Sequence, residues 1–264
     1  VFQAAAAVGG SGIMKRISLW KKTIEIFAAT LVIMVFWYLL AIYVKNNILP
    51  TPLEALTEFF MIFSGTLWEH FYISTFRVVI SIIAAMLFAV PLGLLLGREE
   101  KLDRYIAPVV YLIYPIPKIV FLPVVFLLMG LGNLPKIFMI GLIVFFQILV
   151  TTRDASKGVP VQNIHSMTSL GAAKWQIYYH VVWPACLPKI LTSLRISLGT
   201  AIAVLFFVES FATTEGLGYF IMDAWSMAVY SQMFAGIIGM SFLGLILYIV
   251  LDMIEAKWCR WQYL

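Results

Sequence analysis

The chain has 264 residues, 62% of them hydrophobic and only 12% charged, with a formal net charge of +5 and a mean hydropathy of +0.98. Soluble domains average about 25% charged residues, so a soluble globular fold is excluded and an integral membrane protein is expected. The positive balance lies in connecting segments rather than in a separate basic domain, which argues against nucleic-acid binding, and two cysteines with no histidine cluster suggest neither a disulfide framework nor a metal site.

Residues 1–13 are Ala- and Gly-rich and uncharged, and they precede Met14-Lys15-Arg16; they are expected to be a non-native remnant ahead of the native start, with 14–264 forming a single membrane domain. A spanning helix needs about 20 mostly apolar residues. The first such run is 23–44, where Leu31-Val32-Ile33-Met34-Val35-Phe36-Trp37 is apolar on every side. A barrel strand would alternate over about 10 positions, so the spans are helical. The connection 45–70 carries Glu54, Glu58 and Glu69.

The second span, 71–97, holds Arg77 about two turns in, either on a solute pathway, where it could complement an anion, or reaching the headgroups. Gly93 and Gly97 near its end form the small-xxx-small pattern of closely packed helices. The third span, 105–130, contains Pro108, Pro115, Pro117 and Pro123. Each removes a backbone donor and clashes with the preceding turn, which predicts a broken helix. Irregular backbone at membrane depth needs protein or a wet cavity beside it, so Pro117 and Lys118 are candidates for a central pathway; the alternative is a kinked packing helix whose lysine snorkels.

The fourth span is 135–151, and Gln147 within it is read either as an interhelical hydrogen bond or as a solute contact. The fifth, 190–213, carries Glu209 near one end. An ionisable group inside a span is a functional candidate by default; Glu209 could face the pathway, pair with Lys118 or brace a helix contact, a structural pairing being favoured. Gly216-Leu217-Gly218 in the connection 214–232 is a turn signal and not a phosphate loop, since no Lys-Ser or Lys-Thr follows. The sixth span is 233–254. With Lys15, Arg16, Lys21 and Lys22 inside, threading six spans places Arg98, Lys101, Arg104, Arg153, Lys157, Lys174, Lys189, Arg195, Lys257 and Arg260 on the same side, so both termini are expected in the cytoplasm. Cys186 and Cys259 then lie at a reducing face.

Between Thr151 and Ile190, the connection 152–189 is too polar to span and too patterned to be structureless. Val161 to Leu170 reads as a helix with Ile164, Met167 and Leu170 on one face, stopped by Gly171 in a left-handed conformation. A second helix from Ala172 carries Trp175, Tyr178, Tyr179 and Val182, and Pro184 should end or kink it. Either this pair lies on the lipid surface, or it fits a cleft in a soluble partner.

Ser169-Leu170-Gly171-Ala172 followed by Val181-Val182-Trp183-Pro184-Ala185-Cys186-Leu187-Pro188 resembles the signature loop of ABC-importer membrane subunits. Pro115-Ile116-Pro117-Lys118, Leu122-Pro123, Gly130-Leu131-Gly132, Glu209, Gly216-Leu217-Gly218-Tyr219 and Glu255 to Trp261 are similar to the nitrate/sulfonate/taurine branch of that family. The resemblance implies an all-α, six-span, type I permease with a cytoplasmic coupling helix between spans 4 and 5, in a bacterial inner membrane. It implies that Ile164, His165, Thr168, Ser169, Leu170, Gly171 and Ala172 dock two ATPase subunits that hold ATP and Mg, while this chain binds no cofactor. A second permease copy and an extracytoplasmic substrate-binding protein complete the implied assembly. The expected solute is a small anion such as nitrate, a sulfonate, taurine or bicarbonate, or else a neutral vitamin-precursor heterocycle. Two positions depart from the pattern: the family's Glu-Ala-Ala falls on His165-Ser166-Met167 and its Leu-Pro on Trp183-Pro184. The rivals are a channel and a membrane-embedded enzyme, but His70, His165 and His180 offer no convergent acid–base set, and no Gly-x-x-x-x-Gly-Lys-[Ser/Thr] nucleotide motif occurs.

Overall fold

Apolar runs longer than a bilayer is thick can satisfy their backbone only as helices. The computed structural model describes residues 27–44 and 48–263, and every regular element among them is helical. Residues 1–13, expected to be a remnant, the cluster Lys15 to Lys22, the first residues of the 23–44 run and Lys45 lie outside the described residues. Helices α1 (Phe27–Val44), α3 (Thr66–Arg98), α6 (Asn133–Lys157) and α11 (Tyr230–Trp258) are each long and apolar enough to cross a membrane, as is the run Lys174–Glu209. The pair α4 (Glu100–Ile113) and α5 (Leu122–Met129), bent by 78° across a short 3-10 turn Lys118–Phe121, supplies a sixth span.

That break is the one predicted from the prolines, and its cause is visible. The helix ends at Ile113, before Pro115 and Pro117, which leaves carbonyls without partners. The Lys118 ammonium takes them up, donating to the carbonyls of Ile113 (3.2 Å), Tyr114 (3.0 Å) and Ile116 (3.4 Å). Pro123 falls in the first turn of α5, where a missing N–H is tolerated.

The bundle centres on α3, packed along α6, with α9 (Trp183–Glu209) on the other side of α6. Gly93 and Gly97 set that approach: a Cβ on Gly93 would lie 2.8 Å from the Thr152 Cβ, and one on Gly97 2.5 Å from the Arg153 carbonyl. Around this seam Val78, Ala85, Ala89, Met139, Ile140, Val144, Ile148, Leu194, Ala201 and Leu205 form the core. In lipid, where apolar surface gains little by leaving the solvent, such close van der Waals contact carries the association. Helix α1 lies apart, with only Ala41 buried. It is tied on by Trp37, whose Nε1 donates to the Pro50 carbonyl at 3.1 Å and whose ring stacks on Phe234.

Three expectations are corrected. The connections 45–70 and 214–232 are not plain loops, since they hold α2 (Pro52–Phe63) and α10 (Leu217–Ser226), and α3 starts at Thr66 rather than 71. Helix α2 opens on a capping box in which Thr51 and Glu54 bond each other's backbone N–H. The fourth span runs six residues beyond 151, to Lys157, because Arg153 and Ser156 face inward and find partners there. Finally, Pro184 does not end the second connecting helix. The short α8 (Lys174–Ile177) passes through a π turn at Tyr178–Val182 into α9, with the Trp183 N–H reaching back to the Tyr178 carbonyl. The wider turn shifts the register by one residue, so the proline ring meets no carbonyl and the helix continues.

Candidate functional site

Helical spacing on α9 gathers Lys189, Thr192, Ser193, Ile196, Ser197, Thr200, Ala203, Val204 and Phe207 along one stripe. Opposite it stand Ile143, Phe146, Gln147 and Thr151 of α6 and the broken segment Tyr114–Lys118. Between them lie two adjoining cavities that share Tyr114 and Gln147. One, of about 340 Å³, is lined by Pro117, Lys118, Phe146, Val204 and Phe207 among others; the other, of about 290 Å³, by Thr151, Lys189, Thr192, Ser193, Ile196 and Ser197. The groove is thus graded along α9, apolar and aromatic toward Glu209 and rich in hydroxyl groups toward Trp183. Among the described residues, no carboxylate lines either part.

Three of the five residues picked out for a pathway meet here. Pro117 shapes the wall. Gln147 donates from Nε2 to the Thr200 hydroxyl at 3.2 Å, an interhelical bond between α6 and α9, while its Oε1 is buried without a partner. Lys118 lies over the Phe146 ring at 4.6 Å, but its three donors are already engaged by carbonyls. It clamps the break and, in this arrangement, offers no donor to an anion.

The other two, Arg77 and Glu209, sit away from the groove at the far end of the bundle, and each corrects an expectation. Glu209 pairs with Arg77 and not with Lys118. Arg77 is 1% exposed and does not reach a headgroup layer. Its Nη1 donates to Glu209 Oε1 at 2.6 Å and to the Glu215 carbonyl at 3.0 Å, and its Nε donates to Asn133 Oδ1 at 2.8 Å. Glu209 also accepts from the Ser74 hydroxyl and, at 2.9 Å, from the Gly218 N–H. Leu217 N–H reaches Ser74 Oγ at 2.8 Å, and Gly216 N–H reaches His70 Nδ1 at 3.1 Å. The carboxylate therefore caps the start of α10, where unpaired N–H groups and the helix dipole favour negative charge. This explains the glycines of the 216–218 turn. Gly216 has φ +112°, and a Cβ there would overlap the Glu209 carboxylate; one on Gly218 would lie 2.7 Å from the Glu209 Cβ. One buried cluster joins α3, α6, α9 and α10.

At the opposite end, α7 (Val161–Ser169) has no buried residue. Ile164 and Met167 are half-buried and turn inward, with Ile164 against the core. Leu170, expected on their face, is instead 82% exposed at the tip, beyond the last turn of the helix. His165, Thr168, Ser169 and Gly171 are exposed beside it, and Ala172 is half-buried. Gly171 stops the helix with φ +78°, as its type predicted, and nothing lies within 4 Å of where its Cβ would be. Beside the Ile164 contact, an exposed Lys174–Glu99 pair at 3.3 Å joins this segment to the bundle. Behind it, Arg153 of α6 binds Asp103 of α4 through two bonds and the Tyr111 hydroxyl at 3.0 Å, while Arg195 of α9 pairs with Asp252 and Glu255 of α11.

The hydroxyl residues of the groove and the partners Ser74 and Asn133 were not picked out from the sequence. The former carried a signal, since 189, 192, 193, 196, 197 and 200 are one helical face of an otherwise apolar span. The latter carried none.

The profile described as binding-protein-dependent transport system inner membrane component matches residues 89–259. The taurine transport system permease protein TauC of Escherichia coli (strain K12) is 28% identical over 247 residues, covering 91% of this chain and 90% of that one. A putative ABC transporter permease protein of Methanocaldococcus jannaschii is 34% identical over 235 residues, covering 86% and 88%. Among solved structures, an inward-facing conformation of the MetNI methionine ABC transporter superposes with a TM-score of 0.62 at 19% identity, covering 73% of this chain and 95% of that chain, a likeness of fold.

Proposed function

The chain belongs to the family of binding-protein-dependent transport system inner membrane components, and from that premise we propose that it is the membrane-spanning subunit of an ATP-driven importer of a small anion. It works beside a second copy, with two ATPase subunits, which carry the ATP and Mg, docked on α7, and with an extracytoplasmic binding protein at the α10 end. The distribution of Lys and Arg in the sequence supports a reading with α7 and both termini on the cytoplasmic side.

The observation that carries this reading is continuity. The exposed tip at Leu170 and Gly171 is separated by only two residues from the helical run Lys174–Glu209, and that same run lines the groove. A displacement of α7 by the ATPases is thus delivered to the groove wall. Energy enters through differential binding of the ATPases to two arrangements of the spans. The Arg77–Glu209 cluster fixes the distal end of α9, so the wall tilts about that end. Ile164, Met167 and Ala172 seat α7, while His165, Thr168, Ser169, Leu170 and Gly171 face the partner. His165 supplies no acidic contact, so docking here relies on shape and the Leu170 side chain.

For the solute, the groove carries the exposed ammonium of Lys189 and, among the described residues, no carboxylate, which favours an anion, in keeping with the name of the taurine relative. Proteoliposomes holding the chain, its ATPase and its binding protein should take up taurine or nitrate only with ATP and all three components. Ion conductance by the chain alone would instead establish a channel.

A further inference from the structure

The groove's cytoplasm-side cavity has a property that the docking reading does not use. Ser197 lies in its wall, is 1% exposed and has no hydrogen-bond partner, and Gln147, one helix across, has a buried amide oxygen without a partner. Buried polar groups in folded proteins are nearly always bonded. Both atoms are enclosed in the wall beside one cavity, so a polar guest completes their bonding as the two side chains turn toward it. Ser193, 4% exposed, adds a second hydroxyl one turn away. The Thr151 and Thr192 hydroxyls are not equivalent, since each donates to a carbonyl one turn back, Gln147 and Pro188 respectively. The only charge on the lining is Lys189, exposed and in no ion pair among the described residues.

We propose that Ser193, Ser197, Gln147 and Lys189 form an exit-side subsite for a small, singly charged oxyanion group of the sulfonate or nitrate type. The chemistry is selective in three ways. One ammonium balances one negative charge, and hydroxyl and amide donors match oxyanion acceptors. A half-turn of the Gln147 amide keeps its contact with Thr200, which then donates, and puts the NH2, a donor, where the unpartnered Oε1 now lies. With no carboxylate on its lining among the described residues, the cavity offers a cation no counter-charge, and about 290 Å³ accommodates a small head group. The subsite rests on the reading of the groove as the solute's path. It places a weak, donor-rich station between the aromatic half of the groove and the cytoplasm.

The test uses the chain with its ATPase in nanodiscs, without nucleotide or binding protein, and reads binding of methanesulfonate by saturation-transfer NMR. Methanesulfonamide, its neutral near-isostere, is the control. The expected result is saturable methanesulfonate binding with the sulfonamide at least about tenfold weaker, as the loss of charge-assisted bonds dictates. Ser197→Ala and Lys189→Gln should each weaken methanesulfonate by a similar factor, and Lys189→Arg should restore it. Equal binding of the two probes, no binding to the unaltered protein, or variants that bind as well as the parent would overturn the subsite. Retention of the ATPase during purification reports separately on the docking reading. If it is lost, the NMR measurement on the chain alone still decides the subsite.

Discussion

The two ends of the helical run Lys174–Glu209 are built on opposite principles. At Glu209 a fully buried carboxylate is surrounded by Arg77, Ser74 and the first N–H groups of α10, every bond internal to the chain. At the Lys174 end the connecting helix α7 has no buried residue and projects Leu170 into open space. A buried ion pair holds elements in one arrangement because breaking it leaves an uncompensated charge. An exposed apolar tip contributes nothing until another chain covers it. The contrast assigns stability to one end and partnership to the other, and substitutions at the two ends should therefore fail in different assays.

The largest effect on folding is expected from Glu209→Ala, which leaves the buried Arg77 guanidinium with only the exposed Glu215 carboxylate, 4.0 Å away, at a cost of about 3–5 kcal/mol. It should show as a fall in the thermal midpoint in detergent, partly reversed in the Arg77→Ala, Glu209→Ala double variant. A midpoint unchanged by Glu209→Ala would dissolve the contrast. Gly216→Ala comes next, since a side chain at φ +112° crowds the same carboxylate; strain of about 1–3 kcal/mol is expected there. Lys118→Met should cost about the same, roughly 1–3 kcal/mol, by orphaning the carbonyls at the α4 break, and increased protease access near Tyr114 would report it. At the α7 end, Leu170→Ala should change stability by no more than about 0.5 kcal/mol yet reduce ATPase retention on purification. Smallest is Lys174→Ala, where an exposed pair with Glu99 contributes about 0–0.5 kcal/mol; a larger loss of stability would mean that this end too is internally braced.

Much of the architecture was legible because it follows local rules. Proline content foretold the break at 114–117, the spacing of Gly93 and Gly97 foretold the seam with α6, and Gly171 foretold its left-handed stop. Features that depend on distant partners were not legible. Arg77 and Glu209 are 132 residues apart, and nothing local distinguishes a carboxylate that pairs with Arg77 from one that pairs with Lys118. Helix α2 announced itself through Thr51-Pro52-Leu53-Glu54, a capping box with proline at the first helical position, but it is too short for a reading tuned to spans. The continuation through Pro184 was hidden because a π turn adds one residue to a single turn and leaves no mark in hydrophobic periodicity. Ser193 and Ser197 read as packing residues until α6 was set opposite them.

The central claim is that the Leu170–Gly171 tip receives the ATPase and moves the groove wall. Gly171→Asp tests it most directly, because a short polar residue is tolerated at positive φ and the site is open, so the fold should survive. The protein should insert and melt as before while ATP-driven uptake in proteoliposomes with the ATPase and binding protein falls at least about tenfold, the loss of one good contact. Normal uptake by the Gly171→Asp protein would contradict it.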